Sequence, residues 1–128
     1  MRSDISSRED IKLIITKFYD LLLADDNMLP FFKEIVLKNQ LEYHLEIITD
    51  FWNDILFYTN SYQNNVLQKH LDKNTFIEFR KEHFSAWASY FFLTIDNLFE
   101  GEKSLKMKNR AQSIATVMQL KMKIYEKK

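Results

Sequence analysis

The chain has no cysteine, one glycine and one proline in 128 residues. Without Cys there is no disulfide framework, no thiolate nucleophile and no Cys-based zinc site. That absence suits a reducing compartment. Average usage would supply roughly nine Gly and six Pro at this length. Tight turns draw on both, because Gly gives φ > 0 and Pro presets turn geometry. The sequence therefore reads against a β-sandwich, a small barrel and a glycine-loop nucleotide fold. Net charge is also missing, with 18 basic against 18 acidic residues, so no global field favours nucleic acid or a membrane. No apolar run heads the chain as a signal peptide would. The densest apolar stretch, Phe84 to Leu93, is about half of what a bilayer span needs. The expectation is a cytoplasmic protein with neither nucleic acid nor membrane as partner.

What is abundant is apolar and aromatic. Apolar residues make up 46% of the chain and aromatic ones 15%: eleven Phe, six Tyr and two Trp. That suffices for a core and gives no case for disorder. Large flat side chains either fill such a core or line a pocket for a large flat ligand, and composition does not choose between the two. The length suggests one domain over residues 1–128. Residues 1–7 read as an N-terminal extension and 121–128 as a basic C-terminal tail.

Four amphipathic segments predict an all-α fold. In the first, Ser6-Ser7-Arg8-Glu9 fits a capping box, and Ile11, Ile14, Ile15, Phe18 and Leu22 recur at helical spacing as far as Asp25-Asp26-Asn27. Met28-Leu29-Pro30-Phe31-Phe32 reads as a brief apolar helical turn. The second helix runs from about Leu41 to Tyr58, with Leu41, Leu45, Ile48, Phe51, Trp52 and Ile55 on one face. His44 shares that face, since 44, 48, 51 and 55 are separated by four, three and four. A polar turn from Thr59 and a short piece, Val66 to Leu71, follow. Thr75-x-x-Glu78 can cap a third helix carrying Phe76, Phe84, Trp87, Phe91, Ile95 and Leu98. Gly101 stands where a helix-ending left-handed residue is wanted. The last helix carries Leu105, Ala111, Ile114, Ala115, Met118 and Met122. From Lys103 onward there are eight Lys or Arg against one acid. That excess is either a solvated helix end complementing the helix dipole or a surface for an acidic partner.

The histidines are His44, His70 and His83. They are 26 and 13 apart, so no H-E-x-x-H zinc pair exists. Leu41, Leu67 and Arg80 precede them by three, so no Glu-x-x-His di-iron motif exists either. No G-x-S-x-G elbow is present. His70, in a short apolar element after a polar loop, is either a partly buried surface residue or an axial heme ligand, which needs only one imidazole. Tyr19, His44 and Trp87 lie on or beside apolar stripes of three different helices. They are three separate structural hydrogen-bonding groups or one convergent polar set. His83 reads as structural.

In order, Phe18-Tyr19, Leu29-Pro30-Phe31-Phe32, His44 with Asp50-Phe51-Trp52, His70-Leu71, His83-Phe84-x-x-Trp87, Leu98-Phe99-x-Gly101 and Arg110-Ala111-x-x-Ile114-Ala115 resemble the third group of truncated hemoglobins. The resemblance covers about Ile11 to Met118. The stretch from His70 to Trp87, with Asp72-Lys73-Asn74 inside it, is a few residues longer than that pattern. The resemblance implies a globin-like, truncated two-over-two helical sandwich holding heme b. By position, His70 would be the iron ligand, and Tyr19, His44 and Trp87 the distal polar residues. Phe31, Phe32, Ile48, Phe51, Trp52, Leu71, Phe91 and Met118 would be apolar walls, with Lys69 or Arg80 meeting a propionate. It further implies O₂, NO or another diatomic ligand, an unidentified reductase, and a monomer or weak dimer. Two donors facing a bound ligand would slow its release by roughly ten- to a hundredfold. That is poor for transport and suits redox chemistry with nitric oxide or peroxide, as an NO dioxygenase or a peroxidase-like activity. The rival readings are a helical protein-interaction module without cofactor, and a heme-based sensor or electron carrier.

Overall fold

A computed structural model describes residues 2–59 and 81–126, with residues 34, 35, 81 and 121–126 by backbone alone. The described residues are helical, without a strand: α1 (Arg8–Ala24), a 3₁₀ turn (Leu29–Phe31), α2 (Lys33–Leu37), α3 (Leu41–Phe57), α4 (Lys81–Leu98) and α5 (Glu102–Glu126). None of these helices is long and apolar enough to cross a membrane.

The first helix starts one residue later than its capping signal suggests. Ser7, not Ser6, is the N-cap, and its hydroxyl accepts from the Asp10 N–H at 3.3 Å. Asp10 accepts in return from the Ser6 N–H and hydroxyl. The cap is thus Ser7 with Asp10, whose carboxylate reaches one residue beyond the cap instead of the cap's own N–H. At its far end the Asp25 N–H donates to the Leu22 carbonyl, and the Asp25 carboxylate accepts from the Tyr90 hydroxyl on α4. Leu29-Pro30-Phe31 forms the expected brief turn, with Pro at the start where its missing N–H costs nothing. The five-residue α2 has no counterpart in the sequence reading.

Two helix pairs build the molecule. In one, α1 packs on α3. In the other, α4 packs on α5, and α1 also lies against α4. Ile11, Ile14, Ile15, Phe18 and Leu22 of α1 are buried as their spacing predicts. On α3 the buried row is Leu45, Ile48, Thr49, Trp52 and Leu56, whereas His44, Phe51 and Ile55 are half-buried along one flank. Leu41 also lies at the margin rather than in the core. Phe84, Phe91 and Ile95 are buried on α4, with Trp87 and Leu98 half-buried. Thr49 and Thr94 satisfy their buried hydroxyls by donating to the Leu45 and Tyr90 carbonyls one turn back, each at 2.7 Å. Ions tie α1 to α3 at the rim: Arg8 reaches Glu46 and Asp50 at 2.7 and 2.8 Å, and Lys12 reaches Glu42 at 2.7 Å. All are part-exposed, so each contributes about 0–1 kcal/mol and mainly fixes the helix register.

The last helix differs from the expected stripe. Ser104, Met107, Ala111, Ala115 and Met118 face inward, and Leu105 is 55% exposed. Its phase is set by the N-terminus. Asp4 accepts from the Lys103 and Ser104 N–H groups at 2.9 Å and from the Ser104 hydroxyl at 2.8 Å. A carboxylate at the positive end of a helix is favoured by both the hydrogen bonds and the dipole. The Glu100 N–H donates to the Ser3 carbonyl, Arg2 donates to the Asn97 carbonyl, and Ile5 is 2% exposed. Residues 2–5 therefore clasp the α4–α5 corner instead of trailing as an extension. Gly101 has φ +148°, not the left-handed helical value expected of it. Glycine stands there because a Cβ would lie 2.5 Å from the Asp4 Cγ.

Candidate functional site

The centre of the molecule is a chain of aromatic rings. Phe18 on α1 touches Tyr19, Trp87 and Phe91 edge-on, with centroids 5.6, 5.8 and 4.8 Å away. Trp87 stacks on Phe91 at 5.7 Å and an interplanar angle of 12°, and Phe91 lies 5.4 Å from Trp52 across its other side. Tyr19 packs on Phe32 at 5.5 Å. Helical spacing produces this, because 18, 22 and 87, 91, 95 fall on inward faces that meet where α1 crosses α4.

Within this apolar setting sits a polar pair. The Tyr19 hydroxyl and His44 Nε2 are 2.7 Å apart, and the two rings meet edge-to-face at 5.3 Å. Tyr19 is buried, and burial pushes its phenol far above the usual range, so it keeps its proton. Two ring tautomers of His44 satisfy the contact. In one, the phenol donates to a bare Nε2. In the other, Nε2–H donates to the phenol oxygen, which leaves the phenol hydrogen free for a third group. Trp87 is packed against Phe18 and Phe91, and its indole N–H has no hydrogen-bond partner among the described residues. On α3, His44, Phe51 and Ile55 form a half-buried flank beside the buried Ile48.

The structure thus brings Tyr19 and His44 into direct contact and links them to Trp87 through one ring, Phe18. Phe32 joins them. Phe31 instead lies against His83, with centroids 5.0 Å apart. Sequence reasoning had given His83 no partner. Trp52, Phe91 and Met118 are core residues, at 4, 1 and 8% exposure. Lys69, His70, Leu71, Arg80, Phe76 and the Thr75–Glu78 box lie outside the described residues. No group of three His, Cys, Asp or Glu among the described residues could hold a metal ion. Sequence reasoning places Phe18 in a stripe and in the Phe18-Tyr19 element of the resemblance, without a role in the site. Its position one residue before Tyr19, on a helix facing Trp87, was the available signal.

No family model matches the sequence. The chain is similar to the group 3 truncated hemoglobin of Campylobacter jejuni, 26% identical over 121 residues that span 93% of each protein. Its fold is similar to the crystal structure of the group III truncated hemoglobin from Campylobacter jejuni, with a TM-score of 0.80, 23% identity and 95% of each chain covered.

Proposed function

From the truncated globin fold that this chain has, we propose that it binds heme b through His70 and presents Tyr19, His44 and Trp87 to a diatomic ligand. The single observation that carries this reading is the part-buried 2.7 Å contact between Tyr19 and His44. The phenol comes from the buried face of α1 and the imidazole from the half-buried flank of α3, so the pair stands at the edge of the apolar core. Their chemistry suits a polar ligand held among apolar walls. The half-buried Phe51 and Ile55 beside His44 fit a flat apolar ring. The indole N–H of Trp87, without a hydrogen-bond partner among the described residues, fits a third donor.

Heme, when bound, supplies an iron centre that takes O₂ or NO and exchanges electrons. The protein supplies the rest. His70 gives one ring nitrogen, and a hydrogen bond from its other nitrogen would fix the tautomer. Lys69 or Arg80 would pair with a propionate. Phe31, Phe32, Ile48, Phe51, Trp52, Leu71, Phe91 and Met118 would supply the apolar walls that keep water from the heme. Tyr19, through its phenol O–H, and Trp87, through its indole N–H, donate toward negative charge on the ligand in a low-dielectric site. Donors that hold a ligand slow its release, which favours reaction with NO or peroxide over transport.

Absorption spectra of ferric, ferrous and CO-bound protein test the assignment of His70. Wild type is expected to take up hemin with a strong Soret band, and His70→Ala to take it up weakly or not at all. Unchanged spectra in the variant remove His70 from the ligand role. Hemin at a thousandfold excess over its dissociation constant adds about 4 kcal/mol to stability by mass action. Identical melting curves with and without hemin contradict binding to the folded state. Tyr19→Phe deletes one donor while keeping the ring, and O₂ release from that variant should be about tenfold faster, corresponding to about 1.4 kcal/mol. Unaltered release shows that the phenol does not face the ligand.

A further inference from the structure

The balanced net charge hides a strong segregation. Residues 103–128 carry eight Lys or Arg against Glu126 alone, so residues 1–102 carry the opposite excess. On α5 the cations are not equivalent. Lys108 is paired with Asp96 at 2.7 Å. Lys103 lies over the Phe57 ring. Neither Lys106 nor Arg110 has a carboxylate partner among the described residues. Lys106 instead lies 4.3 Å above the Tyr58 ring and donates to the Tyr58 hydroxyl at 2.9 Å. Tyr58 ends α3 in the left-handed region at φ 57° and is 83% exposed. A shallow groove of about 480 Å³ is lined by Leu105, Lys106, Asn109, Arg110 and Ser113, with Glu102 at one end. Leu105, displaced outward by the phase of α5, is its exposed apolar side chain.

We propose that this face, centred on Tyr58, Leu105, Lys106 and Arg110, docks the acidic surface of a protein that donates single electrons. An exposed Tyr and Arg beside an apolar side chain, with uncompensated cations, is the composition of a protein-binding patch. A nucleic acid would put phosphates against Glu102 and gain nothing from Leu105. A lipid surface would need the main apolar stripe of α5, but Met107, Ala111, Ala115 and Met118 are spent in the core. The choice of an electron donor rests on the heme reading, which requires one electron to pass from the donor, oxidised by one, to the ferric centre, reduced by one. The acidic docking itself does not rest on that reading.

Flavodoxin, a small acidic flavoprotein, serves as the probe. Binding of its oxidised form to the full chain is followed by flavin anisotropy across ionic strengths, and one-electron reduction of the hemin-loaded chain by its reduced form is followed by stopped flow. Binding and reduction are both expected to weaken at least about tenfold between low and high salt, because the attraction is screened. The double reversal Lys106→Glu with Arg110→Glu is expected to weaken them by about tenfold or more at low salt. Lys17→Glu, on the exposed side of α1, removes the same kind of charge elsewhere and should have little effect. Circular dichroism confirms that each variant is folded. Equal behaviour of the double reversal and Lys17→Glu overturns the proposal. So does tighter binding of a DNA duplex or of phosphatidylglycerol vesicles through the same two residues. If hemin fails to load, anisotropy still decides the docking, so the two readings fail separately.

Discussion

Phe91→Ala is expected to cost about 3–5 kcal/mol of folding stability, the range for removing a buried aromatic ring. Phe91 is 1% exposed and lies between Trp87 and Trp52, with Phe18 meeting it edge-on. Truncation removes the buried apolar area and three ring contacts at once. It leaves a space whose walls belong to α1, α3 and α4, so no single element can relax to fill it. The melting temperature should fall by roughly 12–20 °C. Phe92→Ala, next along α4 and half-buried, should cost far less. Chemical denaturation of both variants checks the difference. Equal losses would show that the ring cluster is not the centre of the fold.

The same cluster shows how far the sequence could be read. Where side-chain spacing repeats over four turns, as on α1, the inward residues follow from periodicity alone, because one helix face must be covered. Two adjacent serines made the start of α1 ambiguous. Ser7 is the cap because its hydroxyl accepts from the Asp10 N–H, while the Asp10 carboxylate reaches back to Ser6. The five residues of α2 are too few for any period to emerge, and such a short helix exists only through its neighbours. Leu105 was misplaced for another reason. The phase of α5 depends on Ser104 being held by Asp4, a contact one hundred positions away in the chain that no local pattern contains. The inward set at 104, 107, 111, 115 and 118 then forces Leu105 outside. Tyr19 and His44 were visible as polar groups on apolar stripes. Spacing showed their faces but not their contact, which depends on how α1 and α3 pair.

The clasp at the N-terminus yields the second large effect. Gly101→Ala should cost about 2–4 kcal/mol. A side chain at φ +148° is strained, by about 1–3 kcal/mol. Its Cβ also collides with the Asp4 carboxylate and so expels the helix cap, which contributes about 0.5–2 kcal/mol. Asp4→Ala alone should lose only the cap. In the double variant the collision has no target, so the two losses should fall short of additive by about the value of the cap. Strict additivity would mean that the glycine and the carboxylate act independently. Acidity gives a further check. Burial pushes the Asp4 carboxyl up, but hydrogen bonds from the Lys103 N–H, the Ser104 hydroxyl and the Ser104 and Ile5 N–H groups outweigh it and hold the carboxyl below its ordinary value of 3.8. A depressed carboxyl stabilises the folded chain fully above the unfolded value, and the contribution disappears as pH falls through the folded one. Wild type and Asp4→Ala should therefore differ in stability at neutral pH and converge only in strong acid. A difference that persists there would show that the protonated Asp4 carboxyl still caps α5 through neutral hydrogen bonds.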